Sequence, residues 1–180
     1  MKRLTGVFLL VFTLSLVSCN AIKKLGQFYI NYSTQAVFPA NIPINIPLSI
    51  TSPPIPTNSQ QVFQNNNTSS NLIQNVSLNQ LNLVITSPSG QTFSFLQNVS
   101  IYLSSDSLPE VLIASKQNIP ANVGDTLALD VTNTDLQGYI KASQIKIRIA
   151  GNTDQVLTSN VYINVNARFF VQANLLAVLQ

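Results

Sequence analysis

The feature that most narrows the fold of this chain is a two-residue apolar rhythm, carried in short runs that Pro, Gly, Asn and Asp interrupt. It passes through Val76–Ile85, Val99–Leu103, Val111–Ala114, Leu127–Val131, Ile145–Ile149 and Val161–Val171. A period of two sends successive side chains to opposite faces of an extended chain, so each run has one face to bury and one to expose. Between the runs stand Ser87-Pro88-Ser89-Gly90, Ser104-Ser105-Asp106, Ala121-Asn122-Val123-Gly124 and Gly151-Asn152-Thr153-Asp154, which carry the chemistry of tight turns. About seven to eight short strands on this spacing predict an all-β fold: an antiparallel β-sandwich whose inward residues fill the space between two sheets. Immunoglobulin-like and jelly-roll topologies both satisfy the pattern. Asp135–Ala142 reads as one short helical turn.

Upstream, Ile42, Ile44, Ile46, Leu48 and Ile50 alternate with Pro43, Asn45, Pro47 and Ser49. Prolines an even number apart leave their missing N–H groups on the same side. This predicts an edge strand with that side toward solvent. Thr51–Ser70 is rich in Pro, Asn, Gln, Ser and Thr and has little apolar rhythm. It reads as a long exposed loop, removable without loss of the fold.

The chain opens on a positive stretch, Met1-Lys2-Arg3, followed by 13 mostly apolar residues, Leu4–Leu16, and the small Ser18. Spanning a bilayer takes about 20 apolar residues, so this segment has the layout of a secretory signal instead. Leu16-Val17-Ser18-Cys19 closely resembles the lipobox of bacterial lipoproteins. The resemblance implies cleavage before Cys19, a diacylglycerol on its thiol and, usually, an acylated amine; two or more acyl chains make attachment stable. Cys19 is the only cysteine, so no internal disulfide is available. The expected organisation is a signal peptide over 1–18, a lipidated N-terminus and tether over 19–38, and a single β-sandwich domain over 39–180.

Asn20 stands where an aspartate would be associated with the inner membrane, which favours the outer membrane and leaves its periplasmic and external faces open. The run Leu83-Val84-Ile85-Thr86-Ser87-Pro88-Ser89-Gly90-Gln91-Thr92-Phe93-Ser94-Phe95-Leu96, with Ile101-Tyr102-Leu103-Ser104 and Tyr139-Ile140-Lys141-Ala142-Ser143, resembles small β-rich outer-membrane lipoproteins of Bacteroidota. That resemblance transfers no functional residues.

Nine Lys and Arg face six Asp and Glu, and loss of Lys2 and Arg3 with the signal leaves seven against six. Beyond Lys23-Lys24 there is no basic run, so a nucleic-acid partner is not expected. Without histidine, and with the sole cysteine assigned to lipid, Ser-His-Asp and Cys-His mechanisms and most zinc sites are excluded. Six scattered glycines form no phosphate-cradling loop.

Asp106, Glu110, Asp125, Asp130, Asp135 and Asp154 are the carboxylates from which a glycosidase pair would have to come. Asp125, Asp130, Asp135 and Asp154 are those that could ligate calcium. Turn and strand-end roles account for all six more simply, so no catalytic residue, metal or cofactor is assigned and the chain is not expected to be an enzyme. Asp106-Ser107-Leu108 and Asp125-Thr126-Leu127 resemble the acceptor triad of O-glycosylation in Bacteroidota, which makes Ser107 and Thr126 candidate acceptors.

Lipid anchoring without catalytic chemistry points to a membrane-anchored, non-enzymatic protein-interaction or structural module of the cell envelope or surface, with an envelope or surface protein as partner. The alternative is a lipoprotein that binds a glycan or a small apolar ligand, with Tyr102, Tyr139 and Tyr162 as aromatic platforms. A deep apolar cavity or an aromatic row marks ligand binding, whereas a filled core with a flat exposed patch marks a protein partner.

Overall fold

The computed structural model of the chain describes residues 26–44 and 46–174. Ten strands run through them: β1 (Gln27–Phe38), β2 (Pro47–Thr51), β3 (Ile55–Pro56), β4 (Ile73–Ser87), β5 (Leu96–Ser105), β6 (Val111–Lys116), β7 (Thr126–Ala128), β8 (Asp130–Val131), β9 (Gln144–Thr153) and β10 (Val161–Ala173). Two short helices, α1 (Ser59–Asn65) and α2 (Gln137–Lys141), join them. Every strand pair is antiparallel. One sheet has the order β1-β10-β4-β7; the other runs β2-β9-β5-β6-β8, with β3 also paired to β9. The two pack face to face as the expected antiparallel β-sandwich.

The alternation explains the layering. Along β10, Val161, Ile163, Val165, Ala167, Phe169 and Val171 are buried while the residues between them are partly or fully exposed. From the opposing sheet, Ile145, Ile147 and Ile149 of β9 and Val99, Ile101 and Leu103 of β5 are buried in the same core. Phe38 meets Phe95 edge-on at 5.3 Å, and Phe93 stacks beside Phe95 at 6.2 Å. Such aromatic pairs add to the burial energy through their quadrupoles.

Several expectations need correction. The tether does not reach residue 38: Gln27–Phe38 is a full-length strand paired residue by residue with β10. Its inward residues Phe28, Ile30, Tyr32, Thr34, Ala36 and Phe38 keep the two-residue rhythm, which the neighbouring Asn, Ser and Gln obscure. The strand expected over Ile42–Ile50 is confined to Pro47–Thr51 at the edge of its sheet, and Ile44 and Ile46 are 47% and 48% exposed.

Thr51–Ser70 is not a detachable loop. It contains β3 and α1, and Phe63 is buried to 1% exposure with its ring 6.5 Å from Phe28. Thr57 fastens the segment further, its hydroxyl donating to the carbonyl of Ala142 while its N–H donates to Ser143. Leu127–Val131 is two strands, since β7 pairs with β4 and β8 with β6, so the chain passes from one sheet to the other at Leu129.

Gly151-Asn152-Thr153 belongs to β9 rather than to a turn. A Cβ on Gly151 would run into the carbonyl oxygen of Asn98 on β5, beside a register shift in that strand pair. Glycine there serves close backbone approach, not chain reversal. The signal peptide and Cys19 lie outside the described residues.

Candidate functional site: the outer face of the four-stranded sheet

The outer face of the four-stranded sheet is built by the odd residues of β1, the even residues of β10 and the outward residues of β4. The strand register sets them in rows. Ser33, Asn166 and Asn82 lie side by side, flanked on one side by the row Asn31, Arg168 and Gln80 and then by Tyr29 and Phe170. On β4 the register shifts beside Arg168, where Asn79 is the extra residue of a bulge. Bulges twist a strand locally and re-aim its side chains.

These rows enclose a shallow hollow of about 310 Å³ whose lining includes Asn31, Ser33, Gln80, Asn82, Asn166 and Arg168. Its polar groups are unevenly committed. The Ser33 hydroxyl donates to Asn166 Oδ1 at 2.8 Å. Asn82 Oδ1 is buried and accepts no hydrogen bond. Leaving such an acceptor unpaired costs roughly 1–3 kcal/mol.

Arg168 lies over Tyr29, its guanidinium carbon 3.9 Å from the ring centroid, and Tyr29 in turn tilts against Phe170 at 5.5 Å. The stacked guanidinium is thereby aimed without a carboxylate. Lys116, Lys146 and Arg148 all form ion pairs and Lys141 reaches the Ile73 carbonyl, which leaves Arg168 the one described cation without a hydrogen bond or ion pair. Five N–H donors on a planar fork therefore remain available beside the unsatisfied Asn82 oxygen.

A wider cleft of about 1380 Å³ opens where α1 meets α2, lined by Thr57, Gln61, Ser69, Lys141 and their neighbours. Size does not make it the better site, because the one cation in its lining, Lys141, already reaches the Ile73 carbonyl, and several of its other polar groups are bonded within the chain. Gln61 donates to Asn65, Ser69 to Asn71, and Thr57 to the backbone of Ala142.

The residues singled out from sequence are scattered. Tyr102 lies on the opposite sheet under Arg148, 4.3 Å from its guanidinium carbon. The Tyr139 hydroxyl donates to the Pro109 carbonyl from α2. Tyr162 alone lies on the outer face of the four-stranded sheet, at the other end of β10 from Phe170. The three form no aromatic row.

Of the carboxylates, Glu110 takes a two-pronged bond from Arg148 at 2.6 and 2.7 Å, Asp106 pairs with Lys146 and Gln144, and Asp130 pairs with Lys116. The bond from Arg148 holds Glu110 below the usual carboxylate range, and those from Gln144 and Lys146 lower Asp106. Asp125 accepts from the Thr126 hydroxyl and Asp135 from the Gln137 N–H, while Asp154 is exposed. Among the described residues no three His, Cys, Asp or Glu side chains gather into a metal site. Ser107 is exposed in the β5–β6 turn and Thr126 on β7.

Sequence reading missed Tyr29, Asn31 and Ser33 because they were assigned to the tether. The inward Phe28, Ile30 and Tyr32 between them are the signal that places them on a strand.

No protein-family profile and no curated protein matches the chain. Among solved structures, similarity is found to CpGH89CBM32-5 from Clostridium perfringens in complex with GalNAc-beta-1,3-galactose, at 11% identity over 80% of this chain and 97% of that one, with a TM-score of 0.37. Desmodium yellow mottle tymovirus gives 13% identity, 82% of each chain and 0.26. Turnip yellow mosaic virus gives 12%, 82% and 94%, and 0.28. Scores this low carry no argument about ligand or family.

Proposed function

We propose that this chain is a non-enzymatic lipoprotein, tethered to the outer membrane through lipid on Cys19, that binds a glycan in the hollow on its four-stranded sheet. The observation that carries the reading is the presence, in one hollow, of an uncommitted Arg168 fork and the partly exposed Asn82 side chain. Around them stand neutral amides and a hydroxyl. Sugar hydroxyls both donate and accept, so they satisfy such a mixed set where an apolar ligand leaves it unpaired. Tyr29 is already covered by Arg168, so recognition rests on the polar groups rather than on stacking over that ring.

An array of oligosaccharides and polysaccharides probed with the full chain in detergent tests this. Binding to a subset of glycans is expected, falling at least tenfold in Arg168→Ala and in Asn82→Ala, with melting temperature nearly unchanged. Retention equal to wild type in both variants would overturn the site, and no retention on any glycan would overturn the ligand class. Replacing Cys19 with Ser is expected to move the protein out of the membrane fraction with its β-sheet circular dichroism intact. A variant that resists a carbonate wash would show another anchor.

A further inference from the structure

We infer that β1 is a pairing edge for a second copy of this chain, joining two four-stranded sheets into one continuous eight-stranded sheet. The pairing rests on β1 alone; its consequence for binding rests on the proposed function.

Gly26 accepts a hydrogen bond from the Ala173 N–H, and the register of β1 with β10 runs on unbroken from there. In an antiparallel ladder alternate residues turn both N–H and C=O toward the same neighbour. The even residues of β1 therefore bond to β10, and Gln27, Tyr29, Asn31, Ser33, Gln35 and Val37 turn theirs to the open side. Among the described residues no strand pairs there, and none of those six N–H groups has a partner.

The other edges are guarded. β2 has 5 residues and begins with Pro47, β7 has 3, and β8 has 2 and carries Asp130. Short length, proline and charge are the devices by which sheets avoid edge pairing. β1 has none of them: 12 residues, no charge, no Pro, no Gly and no shift in register.

A second copy supplies a strand of the same length and chemistry. With Tyr32 opposite Tyr32, Gln27 pairs with Val37, Tyr29 with Gln35 and Asn31 with Ser33, so all six open residues of each copy bond to their counterparts. Pairing consumes the one unguarded edge among the described strands of each copy and closes at two, as an isologous contact must. The two-fold axis stands perpendicular to the sheet, so both hollows face the same way, presenting a bivalent surface with gains from avidity.

The ends also suit a membrane. Strands of this length set the two Gly26 positions about 40 Å apart at roughly 3.4 Å per residue. Gly26 stands seven positions after Cys19, a reach of about 25 Å. Both lipids then enter one bilayer when β1 lies along it.

Sedimentation of the full chain in detergent, across a concentration series, reads the association without any glycan. Wild type is expected to be a dimer at the upper concentrations. Gln35→Pro removes an open-side N–H without touching the bonds to β10, and Gln35→Lys installs a guarding charge. Each is expected to weaken association at least tenfold with circular dichroism unchanged. Thr34→Pro, one residue away, removes a bond to β10 and is expected to lower the melting temperature instead. A wild-type chain that stays monomeric throughout, or a dimer indifferent to both Gln35 variants, overturns the proposal. Glycan binding by monomeric Gln35→Lys would leave the proposed function standing if β1 pairing fails.

Discussion

The two sheets of this sandwich share a core and differ in what they show to solvent. The sheet of β2, β9, β5, β6 and β8, with the turn after β5, holds all three ion pairs among the described residues: Lys116–Asp130, Lys146–Asp106 and Arg148–Glu110. The four strands of the other sheet contain a single charged residue, Arg168, and it is unpaired. One surface has its polar groups closed upon each other. The other keeps the Arg168 donors open, and that is the condition for binding something else. Ion pairs at the surface contribute little stability, so the difference is one of availability more than of strength.

The largest effect that tests this division comes from neighbouring residues of β10. Phe169 is 0% exposed and lies 5.8 Å from the Tyr32 ring, whereas Arg168 faces out. Phe169→Ala is expected to cost about 3–5 kcal/mol by cavity formation, and Arg168→Ala at most about 0.5 kcal/mol, as read by urea denaturation. Equal losses would mean that Arg168 holds the sheet together and is not held in reserve for a ligand. Phe63→Ala provides a second large effect, about 3–5 kcal/mol, and would show by denaturation that the segment over Thr51–Ser70 belongs to the core.

Next in size is a comparison of the two arginines. Arg148→Ala removes a bidentate bond to Glu110 and a contact over Tyr102. It is expected to cost about 1 kcal/mol and to leave glycan retention unchanged. Arg168→Ala reverses the pattern. A melting curve and a binding curve for each variant would decide whether the sheets divide the work as proposed.

How far the sequence revealed this depends on side-chain contrast. Where strands alternate Val, Ile and Leu with polar residues, as in β10 and β9, position and facing were legible. On β1 the inward set includes Thr34 and Ala36 and the outward set Tyr29 and Val37, so the contrast between faces is weak and the strand passed for a tether. With β1 unread, the hollow could not be assembled, since Asn31 and Ser33 meet Asn166 and Asn82 only through register across β10. Phe63 shows the other limit. It sits among Gln and Asn, and the ring it meets edge-on is Phe28, 35 positions earlier. No local rhythm announces such a contact. The uncommitted state of Arg168 is likewise a property of its surroundings and not of its neighbours in sequence.

The smallest effects expected come from titration, and they should separate the sheets at opposite ends of the pH scale. Tyr32, on the inner side of β1, donates to the Thr57 carbonyl, and burial raises its hydroxyl from 10.0 to about 12. The folded state then holds this proton more tightly than the unfolded chain does. Its contribution is full below pH 10 and is lost as pH rises from 10 toward 12. Glu110 and Asp106 of the other sheet shift the opposite way, lowered first by the bonds from Arg148 and Gln144 respectively. The folded state holds those protons less tightly, so their contribution is present above the unfolded values of 4.5 and 3.8 and is lost as pH falls through the folded ones. Both carboxylates lie at the surface, where solvent screens the interaction, so the acid effect should be the weaker. Urea midpoints measured across pH would show it: Tyr32→Phe is expected to flatten the alkaline limb alone and Glu110→Gln the acid limb alone. An acid limb unchanged in Glu110→Gln would mean that the Arg148–Glu110 pair holds no stability, leaving availability as what distinguishes Arg148 from Arg168.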